Sequence, residues 1–418
     1  MNRSESMTSS PAGHPPLRLG RRLLGIGAGV LAWMLYRGLS AHPDLAERMV
    51  GQGPLAELPR LLSLVTGWIP FALAELVIGA VLLRQLVGLV RGLADVRARR
   101  DPPGRAALRG GLRLAQDAGI LIALFYLLWG FQYARPGVEA ALGLPERGPI
   151  PRAELAQVAE ALVERTNALY LALNGEADLG VPTPAPPIRP QVPALEAGWD
   201  RSVERWNLPD RFGQRHGAPK AFLLTPIVRW VQIAGMYFPY TGEALVMGDL
   251  PGPARGKDLA HEMAHQRGIA RESDANTLAY LVTALSPDLH QRYSGALFLQ
   301  RQLLSELAAV DPETTVALLE SRLPGVQRDV DAIRDYWLRG RGPVGEIARR
   351  ANDAMLRSHG IPEGVANYRG SVWVVVALAR EFGLEAVLAP TAQDPGPTPF
   401  PSADLPLPDH GSTLPPRP

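Results

Sequence analysis

The 418-residue chain is predicted to be mainly α-helical, with three apolar helices at its N-terminal end. They precede an α+β domain made of a small sheet, one motif-bearing helix and a C-terminal helical subdomain. Three observations predict this. Three apolar stretches fall within residues 19–135, an HExxH motif stands at residues 261–265, and helical patterns broken by Pro and Gly fill the sequence beyond residue 287. The expected division is a tail over 1–18, a membrane region over 19–135 with helices near 19–39, 66–90 and 112–132, a domain over 136–389 and a second tail over 390–418.

Composition excludes several classes. Lys plus Arg number 43 against 41 Asp plus Glu, and no basic stripe is interleaved with aromatics, so nucleic acid is not an expected partner. Cysteine is absent, which removes thiol catalysis, disulfides and any Cys-ligated metal.

Met1 to Leu17 is small, polar and proline-containing, and is expected to be a disordered cytoplasmic tail. Arg21 and Arg22 then precede the apolar run Leu23 to Tyr36. It is short for a spanning helix, and with Leu39-Ser-Ala41 behind it both an uncleaved helix and a cleavable signal peptide are open. In the next stretch, Leu61 to Leu89, Pro70 is expected to separate an interfacial piece from a span, with Trp68 at headgroup level. Glu75 falls inside that span. It is expected to lie near the outer interface and reach water, a functional role being the alternative. Arginine recurs at 84, 91, 97, 99, 100, 105, 109 and 113, against only Asp95 and Asp101. This is the positive-inside signature, so the loop is expected to be cytoplasmic and the third stretch, Leu114 to Phe131, to run outward. Trp129, Phe131 and Tyr133 would form its outer aromatic belt, and everything after Arg135 would lie outside the cell membrane.

In the external part, Ala153 to Leu173 reads as an amphipathic helix, Val181 to Pro193 as a proline-rich linker, and Leu195 to Trp206 as a short helix. Lys220 to Thr225 and Glu243 to Met247 carry strand signals, with Tyr237 to Thr241 a turn-bearing segment between them. His261-Glu-Met-Ala-His265 follows. On a helix two histidines four apart project from one face and can offer two nitrogens to one metal ion, leaving Glu262 beside them to take a proton from water. Gly268 is placed to end that helix as a left-handed cap.

A catalytic zinc needs a third protein ligand. A hairpin bent at Gly268, with a second helix starting near Ala270, would return Glu272 toward the histidines, and Asn276 one turn on could hydrogen-bond a ligand histidine. Asp274 is expected to point elsewhere. The alternative HExxHxxGxxH spacing fails, because its third ligand position holds Arg271, which has no lone pair for a metal. An intramembrane helix is excluded by the charges crowding the motif: Arg255, Lys257, Asp258, Arg267, Arg271, Glu272 and Asp274. In hydrolases with this motif an edge strand just before the helix pairs with extended substrate; Glu243 to Gly248 is placed for that role, a plain core strand being the alternative. Helices are then expected over Pro287–Ala309, Pro312–Leu319, Gln327–Leu338, Val344–Ser358 and Val365–Phe382, before a disordered Pro-rich tail, Pro390 to Pro418. Tyr237, Tyr240, Tyr293 and Tyr368 could each donate to an oxyanion, and none is assigned.

The run from His261 to Tyr280 resembles the bacterial DUF3810 family, as do Leu62 to Phe71, Leu128-Trp-Gly130, Tyr237 to Glu243 and Arg292 to Gly295. The resemblance spares both tails. It implies an uncleaved first helix, three membrane helices, an external zincin-like domain and a membrane-anchored zinc metallopeptidase. Glu272 to Asn276 is also similar to the ExxAD element of Glu-ligand zincins, with asparagine in place of aspartate. The expected reading is therefore a Zn²⁺-dependent hydrolase of peptide or protein substrates, with lipid bilayer as its other partner. The competing expectation is a non-catalytic sensor, binding or assembly factor that keeps the fold.

Overall fold

The computed structural model describes residues 15–364 and 370–388. It begins with α1 (Leu19–Ser40), a short α2 (Pro43–Ala46), a π-helical turn (Glu47–Gly51) and α3 (Glu57–Gly67). Then come α4 (Leu73–Arg97) and α5 (Pro103–Leu128). Helices α1, α4 and α5 are long and apolar enough to cross a membrane, which points to a membrane protein. Leu31, Leu82, Leu83 and Leu124 are among their exposed apolar side chains, and such surface calls for a lipid cover. Helix α1 packs closely on α5 around Gly119; a Cβ at Gly29 would overlap the Gly119 backbone, and one at Gly119 the backbone of Gly25 and Ile26.

Two boundaries differ from the expected ones. Helix α4 starts at Leu73, because residues 69–72 form the turn around Pro70, and it runs past the apolar stretch to Arg97. Helix α5 likewise starts at Pro103, inside the arginine-rich segment, and ends at Leu128. Arginine is a good helix former, so hydropathy marks the apolar part of a helix and not its end.

The domain comprises α6 (Val138–Ala141), α7 (Arg152–Asn174), α8 (Ile188–Arg205), β1 (Lys220–Ala221), α9 (Thr225–Val228), β2 (Gly235–Phe238) and β3 (Glu243–Val246). These lead into α10 (Gly252–Gln266), α11 (Glu272–Ala284), α12 (Leu289–Leu307) and α13 (Pro312–Glu320). The described chain closes with α14 (Pro324–Arg339), α15 (Pro343–Ser358), α16 (Ser371–Phe382) and α17 (Leu384–Leu388). The last expected helix thus begins at Ser371, residues 365–369 lying outside the described ones. Both expected tails also fall there, except for residues 15–18.

Three expectations are corrected. Residues 188–193 are helix, not linker: Pro187 sits at the N-cap and Pro190 in the first turn, where backbone N–H groups have no helical acceptor. The strand expected over Lys220–Thr225 shrinks to two residues, while Tyr237–Phe238, expected in a turn, is strand. Strand β3 is central, parallel to β1 (Lys220 opposite Leu245) and antiparallel to β2 (Phe238 opposite Glu243). Paired on both sides, it has no edge for a substrate, and its four residues are buried as core.

One buried network ties the sheet to the apolar helices. Lys220 Nζ donates to Glu243 Oε1 at 2.6 Å and to the carbonyls of Thr66 (2.9 Å) and Phe71 (3.2 Å). The Glu243 carboxylate also accepts from the backbone N–H of Leu73 (3.0 Å) and Ala74 (2.8 Å) and from the Thr241 hydroxyl (2.7 Å). It therefore satisfies the first N–H groups of α4 from another part of the chain. Glu75 is half-buried, and its two oxygens accept from Leu223 N–H (2.7 Å) and Leu224 N–H (2.8 Å) in exposed hydrogen bonds, as fits the expected place near the outer interface. Those amides follow β1 and have no strand partner to take them.

Candidate metal centre

Helix α10 is buried on almost every face, between β3, α11 and α12. Its end is set by Gly268, at φ 83°. The Gly268 N–H donates to His265 O (3.0 Å) and the Ile269 N–H to Ala264 O (3.2 Å), the two bonds of a left-handed helix stop. This turn folds Ile269 back over the helix end. Its carbonyl accepts from His265 Nδ1 at 2.6 Å, so Nδ1 carries a proton and Nε2 is the nitrogen left to face a metal. Replacing Gly268 by alanine should cost roughly 1–2 kcal/mol, since a Cβ disfavours positive φ. Chemical denaturation checks this; an unchanged midpoint would mean the turn tolerates a side chain.

Beyond the turn Glu272 is the first residue of α11, two residues later than the expected helix start. Its Oε2 lies 3.2 Å from His261 Nε2 and 3.6 Å from His265 Nε2, and the three ligand atoms lie within 4.8 Å of one another. Donors about 2.0–2.1 Å from a tetrahedral ion stand about 3.4 Å apart, so the set fits one small divalent cation. Exposure is 7% at His261, 4% at Glu262, 8% at His265 and 8% at Glu272. Burial, and then Lys257 one turn away, hold His261 well below the usual imidazole range, favouring the neutral ligand form. At His265 burial acts in the same direction, but the Glu272 carboxylate outweighs it and raises the group. Burial opposes ionisation of Glu272 too; His265 and His261 overcome it and keep the carboxylate charged.

Glu262 sits on the same helix with Oε2 buried and unpartnered among the described residues, and its carboxyl packs against Gly235 of β2. Burial pushes it up to about 8, the behaviour of a group that binds a proton readily. Asp274 points away, as expected, accepting from Val138 N–H at 3.0 Å. Asn276 is buried on α11, but the proposed bond to a ligand histidine is not formed: His265 Nδ1 uses Ile269 O, and His261 Nδ1 has no partner among the described residues.

The wall opposite α10 comes from the end of α5. Trp129 meets the His265 ring edge-on at 5.9 Å and Tyr237 at 4.7 Å. Tyr133 is buried beside Met355 (3.7 Å from hydroxyl to Sδ), and burial together with the charge of Glu272 raises its phenol well above the usual range. Trp129 and Tyr133, expected in a lipid-facing belt, thus face the domain. An aromatic at a helix end reads the same in sequence whether lipid or protein covers it. Among the candidate tyrosines, Tyr240 donates to Leu121 O (3.0 Å) and Tyr293 to Asp329 (2.7 Å), and Tyr368 lies outside the described residues. The Tyr237 hydroxyl has no partner among the described residues.

Fold and site together define a helical protein with three membrane-length apolar helices and a buried His-His-Glu cluster, with a free glutamate alongside. The chain belongs to the DUF3810 family, proteins of unknown function, whose family model matches residues 57–376. That description assigns no activity. No curated protein and no solved structure matches the chain.

Proposed function

We propose that the chain is a membrane-anchored zinc metallopeptidase whose domain works outside the cytoplasmic membrane. The observation that carries this reading is the convergence of His261 Nε2 and His265 Nε2 on Glu272 Oε2, with Glu262 uncommitted on the same helix. Bound there, zinc would supply Lewis acidity to polarise a carbonyl and acidify water. Glu262 takes the proton of the attacking water and returns it to the leaving amine. Tyr237 is the candidate donor to the developing oxyanion. The outer edge of β2, beside Glu262 and without a strand partner among the described residues, is the backbone we assign to pairing with an extended peptide.

The arginines that run from the middle of α4 through the connecting loop into the first half of α5 support an inward loop and an outward domain. Exposed Trp68, Phe71, Leu223, Leu224, Ile227 and Trp230, of which Leu223 and Leu224 adjoin Glu75, support contact of the domain with lipid headgroups.

Elemental analysis with X-ray absorption of the detergent-solubilised full chain tests the metal. One zinc per chain with nitrogen and oxygen ligands is expected, and Glu272→Ala should weaken it at least about tenfold. Folded wild-type protein that takes up no stoichiometric metal would exclude the peptidase and favour a binding or sensor role.

A further inference from the structure

Between the N-terminal end of α1 and the middle of α4 and α5, away from the histidine pair, lies a cavity of about 530 Å³ lined by Arg18, Arg21, Arg22, Arg84, Arg91 and Arg113. We propose that it binds a phosphate-bearing anion, the chemistry shared by an anionic phospholipid headgroup and a soluble phosphate ester.

Charge is the first argument. Arg84 donates to both oxygens of Asp117 (2.8 and 2.9 Å), and Gln85 also donates to that carboxylate (2.9 Å). Asp95 and Asp101 are taken by Arg109, with Arg105 also near Asp101. Among the described residues, Arg18, Arg21, Arg91 and Arg113 have no acid within ion-pair distance. The cavity is therefore strongly and asymmetrically positive.

Placement is the second. Arg84 lies eleven residues into α4, about 16 Å along the axis at 1.5 Å per residue. Arg113 lies within α5, a candidate span itself. Cations at such depth are costly unless neutralised. Arg113 does not extend freely to water: its guanidinium lies across Gly88 of α4, where any Cβ would overlap it, and its Nε is buried without a hydrogen-bond partner. A glycine there clears the face of α4 for this side chain.

Shape is the third. Helices α1 and α4 each pack on α5 but not closely on each other, which leaves a cleft floored by α5 and open between them. Guanidinium forks match phosphate oxygens, and the volume falls in the range of small-ligand sites. A cleft between membrane-length helices opens toward lipid, and basic pockets in such places suit anionic headgroups.

The test uses the full chain in phosphatidylcholine nanodiscs, with native mass spectrometry and thermal unfolding as readouts. One arm adds phosphatidylglycerol, a second adds glycerol phosphate in solution, and a third adds neither. Wild type should retain phosphatidylglycerol over phosphatidylcholine by at least about tenfold, and R18Q/R21Q/R91Q should fall to the bulk ratio. R97Q/R99Q, in the same basic segment but outside the cavity, should keep the preference. If the triple variant does not fold, R91Q alone decides, with an expected loss of about threefold or more. Stabilisation by glycerol phosphate alone would keep the phosphate site and assign a soluble source. No preference in either arm, a preference surviving in the arginine variants, or an equal loss in R97Q/R99Q would overturn the proposal.

Discussion

Replacing Glu262 by glutamine is expected to lower peptide hydrolysis by about 10²–10⁴-fold while zinc content stays at the wild-type level. The amide keeps the size of the side chain and its packing against Gly235, but cannot take a proton from water. Glu262 is not among the three clustered ligand atoms, so the metal should remain. Hydrolysis of a quenched-fluorescent peptide library, with metal analysis of the same samples, checks this. Wild-type turnover in E262Q would remove Glu262 from the mechanism. No hydrolysis in zinc-loaded wild type across the library would favour the sensor or binding reading.

Truncating Glu243 to alanine should destabilise the protein by about 3–5 kcal/mol, the usual cost of leaving one member of a buried ion pair alone. Lys220 and Glu243 side chains are 5% and 1% exposed, so water screens neither. The loss extends beyond the pair, because the N–H groups of Leu73 and Ala74 would lose their acceptor at the start of α4. Denaturant unfolding of the solubilised chain measures it. K220M/E243L should be less destabilised than either single change, because no charge is then left buried. A single-substitution cost under about 1 kcal/mol would show that the network contributes little.

Much of the site was legible because its code is local. A four-residue spacing puts two histidines on one helical face, and a glycine three residues later is the residue that tolerates the left-handed turn found at φ 83°. Glu272 followed from that turn, since a short reversal can bring back only the next few residues. The three apolar helices were legible for a similar reason: long, nearly uncharged apolar runs state their own environment. Their ends were not, because Arg97 and Pro103 obey helix rules and not hydropathy.

What sequence could not reveal is which distant segments meet. The edge role expected of Glu243 to Gly248 depended on which of two earlier segments pair with it; pairing with both β1 and β2 made β3 the centre and passed the edge to β2. Trp129 and Tyr133 had the residue types and position of a lipid belt, and folding turned them onto His265 and Met355. Asn276 had the right helical spacing, yet the Ile269 carbonyl reached His265 first. Ligand residues close in sequence are thus fixed by backbone geometry that any reader of the chain can apply. Walls and capping acids such as Glu243 are fixed by contacts across more than a hundred residues, which leave no periodic trace and exist only once the chain has packed.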